Sequence, residues 1–156
     1  MTQVAGRAGR GDIPGEVILQ TYYPNDWAIK LAGEQDFKKF YSEEIKSREE
    51  LFYPPFSHLI LILFLGEEEK KVNLVAEKLA LTLKEKMGKL DSNENIILGP
   101  APAPLEKLRR NYRYQVVVKT KKVREVVKIL EEILEGKEFK GKKVRIVVDV
   151  DPVGMM

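Results

Sequence analysis

The chain has 156 residues, with 27 Lys plus Arg against 24 Asp plus Glu, a formal charge of +3, 44% hydrophobic residues and no cysteine. That length holds one compact core, or one core with a short appendage, and excludes two full catalytic domains. The absence of cysteine excludes disulfides, thiol nucleophiles and the commonest structural zinc sites, and a single histidine, His58, argues against a histidine metal site.

Residues 1–11 are rich in glycine and arginine and run into a turn signal, Asp12-Ile13-Pro14-Gly15. Glu16 to Tyr22 alternates and is β-branched, which predicts a strand, but such a strand needs pairing partners that the adjacent sequence does not obviously offer. Asn25 or Asp26 caps a short helix carrying Trp27, Ile29 and Leu31, which Gly33 is expected to stop. A second helix is predicted from about Asp36 to Leu51, because Phe37, Phe40, Tyr41 and Ile45 recur at roughly one helical turn. Tyr53-Pro54-Pro55-Phe56-Ser57 ends it, since a residue before proline is pushed out of the helical region.

From there the elements follow one order twice. A buried strand at His58 to Leu65 precedes an amphipathic helix at about Glu67 to Met87, and a strand at Asn95 to Leu98 leads into Gly99-Pro100-Ala101-Pro102-Ala103-Pro104. A strand at Tyr112 to Lys119, a helix at about Lys121 to Glu135 and a last strand at Val144 to Val150 complete the chain. The order β-α-β-β-α-β predicts an α+β domain with a four-stranded sheet and both helices on one face, the split βαβ or ferredoxin-like arrangement. The longest apolar stretch, Leu59 to Leu65, is far short of the about 20 residues that span a bilayer, and no signal peptide opens the chain, so a soluble, cytoplasmic protein without a membrane partner is expected.

The small net charge conceals a segregation. Residues 36–50 hold five acids and four bases, whereas residues 105–128 hold nine bases against two acids, a local excess of +7. Within the second stretch, Lys107-Leu108-Arg109-Arg110-Asn111-Tyr112-Arg113-Tyr114 interleaves cations with two tyrosines. Guanidinium groups grip phosphate in two-pronged fashion and tyrosine rings stack on unpaired bases, so Lys107, Arg109, Arg110, Tyr112, Arg113, Lys119 and Lys121 are candidate nucleic-acid contacts. Composition alone is equally served by a solvated loop with Tyr112 or Tyr114 packed in the core. A further cluster, Lys137, Lys140, Lys142, Lys143 and Arg145, reads first as solubilising, with extension of the basic patch as the alternative. His58 has no carboxylate or serine at a suggestive spacing and reads as structural, and Asp149 with Asp151 reads as a strand end rather than a metal pair.

Gln3-Val4-Ala5-Gly6-Arg7-Ala8-Gly9-Arg10 resembles the last motif of superfamily 2 helicases, Q-x-x-G-R-x-G-R. Taken with the run to Tyr22, then Tyr53-Pro54-Pro55-Phe56, then Gly99 to Pro104 with its basic continuation, and Asp149-Val150-Asp151-Pro152, essentially the whole chain is similar to the C-terminal portion of the PriA family, the bacterial replication-restart helicases. The resemblance implies an ATP-dependent 3′-to-5′ DNA helicase as intact parent, with Arg10 as the arginine finger for the γ-phosphate and Arg7 and Gln3 assisting. It also implies residues 1–23 as a remnant of the second helicase lobe, 24–56 as a helical linker and 57–156 as a C-terminal DNA-binding domain similar in fold to ribosomal protein S10.

ATP, Mg and Zn belong to the intact family. The phosphate loop, the D-E-x-H box and the zinc-binding cysteines are absent from these residues, so this chain is expected to be inactive by itself and to hold no cofactor. Met1 standing directly before the helicase motif reads as the start of a fragment. The implied partners are forked or single-stranded DNA, the acidic tail of single-stranded DNA-binding protein and other primosome proteins, in a nucleoid-associated setting. Two further readings stand beside DNA binding: a docking module in which Lys122 and Arg124 capture that acidic tail, and a brace that only supports the motor.

Overall fold

A computed structural model describes residues 16–88, 95–139 and 143–154 together with Gln3. The chain divides into two compact units, Met1–Glu50 and Leu51–Met156. In the first, Asp26 caps helix α1 (Trp27–Glu34), its Oδ1 accepting the amides of Ala28 at 2.8 Å and Ile29 at 3.3 Å. Gly33 does not stop this helix; Glu34 continues it and Gln35 closes it in the left-handed region, φ 57°. Helix α2 (Phe37–Glu50) starts with Asp36 Oδ1 accepting the Lys39 amide at 2.9 Å, and Trp27 stacks on Phe40 with ring centroids 5.5 Å apart.

The strand expected at Glu16–Tyr22 does not form. Its residues are irregular, Ile18 is 85% exposed, and the sheet contains four strands from elsewhere in the chain. β-propensity alone does not hold an unpaired strand, whose backbone groups need a neighbouring ladder.

The second unit is built on strand β1 (His58–Gly66), whose run Leu59-Ile60-Leu61-Ile62-Leu63-Phe64-Leu65 is apolar on both faces. A strand of that kind belongs in the middle of a sheet. It pairs antiparallel with β3 (Asn111–Thr120) from His58↔Thr120 to Gly66↔Tyr112, and on its other side with β4 (Arg145–Val150) from Ile60↔Val150 to Leu65↔Arg145. Strand β2 (Asn95–Leu108) pairs only with β3, which gives a four-stranded antiparallel sheet in the order β2-β3-β1-β4.

Alternation divides the sheet into two faces. Ile60, Ile62 and Phe64 of β1 join Val116 and Val118 of β3 in one core with helix α3 (Glu69–Met87) and helix α4 (Val123–Glu135). α3 contributes Val72, Val75, Ala76, Leu79 and Leu83, and α4 contributes Val126, Leu130 and Ile133, the positions their helical spacing places on one stripe. Burying each of the larger side chains is worth about 1.5–3 kcal/mol, so both helices are fixed by this face. On the opposite face, Leu59, Leu61 and Val117 form a smaller cluster under Tyr53. Residues 51–56, which the sequence assigns to the linker, therefore form a strap of the sheet unit.

The strand expected to end at Leu98 runs through the proline-rich stretch to Leu108. β2 is an edge strand, where a missing proline N–H breaks no ladder on the outer side, and register shifts at Leu98/Ala101 and Pro102/Lys107 absorb the irregularity. Gly99 is required there: its φ is +97°, and a Cβ would stand 2.7 Å from the carbonyl oxygen of Gln115.

A clasp joins the end of β4 to the start of β1. Asp151, with φ 52°, donates its amide to the carbonyl of Leu59 at 2.7 Å and accepts the Leu59 amide on Oδ1 at 3.1 Å. Its Oδ2 lies 2.8 Å from His58 Nδ1, which must donate because an ionised carboxylate only accepts. The His58 hydrogen bond holds the Asp151 carboxyl below the ordinary aspartate range; desolvation opposes this and the Leu59 amide adds to it. A depressed carboxylate stabilises the fold above its unfolded value and loses that contribution as pH falls through the lower folded value. Both side chains are about half exposed, so the contribution is small. In urea titrations, Asp151→Asn is expected to cost roughly 1 kcal/mol at pH 7, with the gap from wild type closing as pH drops below about 4. A gap that stayed constant down to about pH 2 would show that the charge of Asp151 contributes nothing.

Candidate nucleic-acid interface

The β1–β3 register spreads the basic stretch along the full length of the sheet. Tyr112 stands at one end of β1 and Thr120 at the other, about 26 Å apart at roughly 3.3 Å per residue. Charges on opposite ends lie well beyond the screening length of about 8–10 Å in physiological salt, so the two ends act as independent sites.

At the first end, Leu108 pairs with Asn111, leaving Arg109 and Arg110 as a two-residue turn. Both have positive φ, 48° and 73°, the geometry that matches the twist of a tight hairpin and that normally selects Asn-Gly. Holding a non-glycine residue there costs about 1–2 kcal/mol each. Residues 104–110 are all exposed, and neither guanidinium has a hydrogen-bond or salt-bridge partner among the described residues. Lys107 folds back, its Nζ 4.5 Å from the centroid of the Tyr112 ring and 3.2 Å from its hydroxyl. Tyr114 faces the helices, where it packs on the core and donates to Glu69 Oε1 at 3.2 Å; desolvation, reinforced by that carboxylate, raises its pKa.

Three of the expected contacts are engaged inside the domain. Arg113 is only 7% exposed and donates from Nη1 to the carbonyl of Leu105 at 3.3 Å. Lys119 is 5% exposed, donating to the carbonyl of Leu51 at 2.7 Å with its Nζ 3.5 Å from the centroid of Tyr53. Lys121 sits 5.7 Å from the centroid of Phe52. The strap thus withdraws Lys119 from any exposed cationic surface and holds Lys121 at its edge, because strand alternation turns positions 113 and 119 to the face that the helices leave uncovered.

At the second end, Lys121, Lys122 and Arg124 border a cavity of about 480 Å³ with His58 and Asp151, beside the start of α4. The structure therefore separates Lys122 and Arg124, the pair expected to dock a partner, from the hairpin arginines. Arg7 and Arg10 lie outside the described residues, and Gln3 is exposed.

The sequence leaves Lys143 and Arg145 between a solubilising role and an extension of the basic patch. In the structure they line a cavity of about 750 Å³ together with Lys71 and Asn111, the residue that follows the turn. Only the antiparallel pairing of β4 with β1, which sets Arg145 opposite Leu65, brings them there. No group of acidic, His or Cys side chains among the described residues is arranged to hold a metal ion, and no helix among them is long and apolar enough to cross a membrane.

The fold and this charged hairpin define an α+β domain with a basic pole. Residues 49–153 match the family described as primosomal protein N C-terminal domain, and the chain belongs to that family. It is 40% identical over 158 residues to the replication restart protein PriA of Bacillus subtilis, covering 100% of this chain and 19% of that protein. It is 37% identical to PriA of Synechocystis over 99% of the chain, and 38% identical to PriA of Thermotoga maritima over 86% of it, covering 18% and 17% of those proteins. The chain thus spans about a fifth of the length of these curated relatives.

Proposed function

We propose that this chain is the C-terminal part of a replication-restart DNA helicase and that its sheet domain, a split βαβ fold of the ferredoxin-like, S10-like kind, helps bind branched or single-stranded DNA at stalled forks for primosome assembly. The observation that carries the reading is the Arg109–Arg110 turn. Two cations occupy left-handed positions that Asn and Gly would fill more easily, at an exposed tip and without internal partners. Local strain of this sort is retained where the strained residues serve a ligand, and phosphate is the ligand that paired guanidinium groups grip best. In the intact protein Arg10, with Arg7 and Gln3, would act as the arginine finger on ATP, and the Mg- and Zn-dependent chemistry would belong to other segments. The setting would be the bacterial cytoplasm, at the nucleoid.

Replacing the turn separates function from fold. Arg109→Asn with Arg110→Gly supplies the preferred turn residues and removes both cations, so stability should rise by up to about 1–2 kcal/mol. Forked-DNA affinity, followed by fluorescence anisotropy at low salt, should fall about tenfold or more, with the slope of log affinity against log salt reduced by roughly 2. Unchanged affinity in this variant rules out the turn as a DNA contact.

The cavity at the start of α4 favours a second reading, in which Lys122 and Arg124 dock the acidic tail of single-stranded DNA-binding protein. A peptide of that tail should bind the chain and lose about tenfold in affinity with Lys122→Glu plus Arg124→Glu, while Arg109→Asn plus Arg110→Gly leaves it unchanged. Equal binding by the Lys122/Arg124 variant discards this reading.

A further inference from the structure

The cavity beside the hairpin turn is of the size that holds a small organic ligand, about 750 Å³ against the usual range of roughly 300–1,000 Å³. One wall is apolar, formed by Leu65, Val75 and Leu74. Leu74 lies off the buried stripe of its helix and is 64% exposed, so its side chain is the solvent-facing part of this wall, with the buried Val75 behind it. The opposite rim carries cations. Lys71 is taken by Glu68 at 2.6 Å, whereas Lys143 and Arg145 have no side-chain partner among the described residues. Asn111 stands on the rim directly after Arg110, so a strand held by the turn passes the mouth of the cavity.

We propose that this cavity receives one unpaired nucleotide of the bound DNA, with its base against Leu74 and Val75 and its phosphate on Lys143 and Arg145. The proposal rests on the DNA-binding reading above and adds to it a place for an unpaired base. A nucleotide combines the three features the lining offers partners for: an apolar face, a single anionic group and an edge with both donors and acceptors. Asn111 both donates and accepts, and Glu67, also in the lining, accepts. An acidic peptide tail brings several carboxylates at once and would set them against Glu67 and Glu68. A pocket for an unpaired base would let the domain discriminate a fork from uniform duplex, which the phosphate contacts of the turn cannot do.

The test uses the full chain and a forked oligonucleotide carrying 2-aminopurine at the first unpaired nucleotide, a base whose emission rises when it leaves the stack. Binding should raise the emission severalfold. Leu74→Glu and Arg145→Gln, both at exposed positions, should abolish the rise and weaken fork binding about tenfold, with a clearly smaller loss for blunt duplex. If the wild-type chain binds the fork without any change in emission, or both variants keep the rise, the cavity holds no nucleotide and the DNA-binding reading stands without it. If the chain binds no DNA at all, both readings fall together.

Discussion

The pairing of β1 with β3 is the constraint on which the rest of the domain depends. β1 is apolar on both faces and is stable only between two other strands, with helices on one side and a strap on the other. Once His58 stands opposite Thr120 and Gly66 opposite Tyr112, every residue of the basic stretch has its place. A slip of one residue would exchange Val116 and Val118 with Val117 and Lys119, driving a lysine into the helix-covered core. Burying an unpaired ammonium costs far more than any surface contact returns, so the register is set by the core and the charge distribution follows from it.

That distribution differs in kind from a single basic patch. Arg113 and Lys119 are spent on carbonyl groups of the domain itself, and Lys119 also holds the strap through Tyr53. The other cations of the stretch lie at two ends of the sheet. At one, Arg109 and Arg110 occupy a strained turn beside Lys143 and Arg145; at the other, Lys122 and Arg124 flank the clasp of His58 and Asp151. Their separation exceeds the range of screened Coulomb forces, so the charges at one end have little influence on those at the other.

Much of the architecture was legible in the sequence. The helical spacing of Val72, Val75, Leu79 and Leu83 and the apolar run of β1 identify the core elements because burial selects those positions directly. The segment from Glu16 to Tyr22 misled because propensity says nothing about whether a partner strand exists. Gly99 to Pro104 read as a break because proline is excluded from central strands, and the edge position of β2 emerges only from the whole sheet. Of the candidate site, Arg109 and Arg110 were visible as charge, but their place as the two turn residues depended on the pairing of Leu108 with Asn111. For Lys143 and Arg145 the sequence left extension of the patch as an alternative only, since they lie more than thirty residues away and are brought close by β4.

The proposal that DNA meets the hairpin end and not the other is most directly tested by two-dimensional NMR of the isotopically labelled chain titrated with a forked oligonucleotide. Amide shifts should concentrate at residues 107–112, 66–71 and 143–145, with residues 121–124 unmoved. Shifts centred on residues 121–124, or spread evenly along β3, would contradict the division of the basic stretch and return it to a single surface.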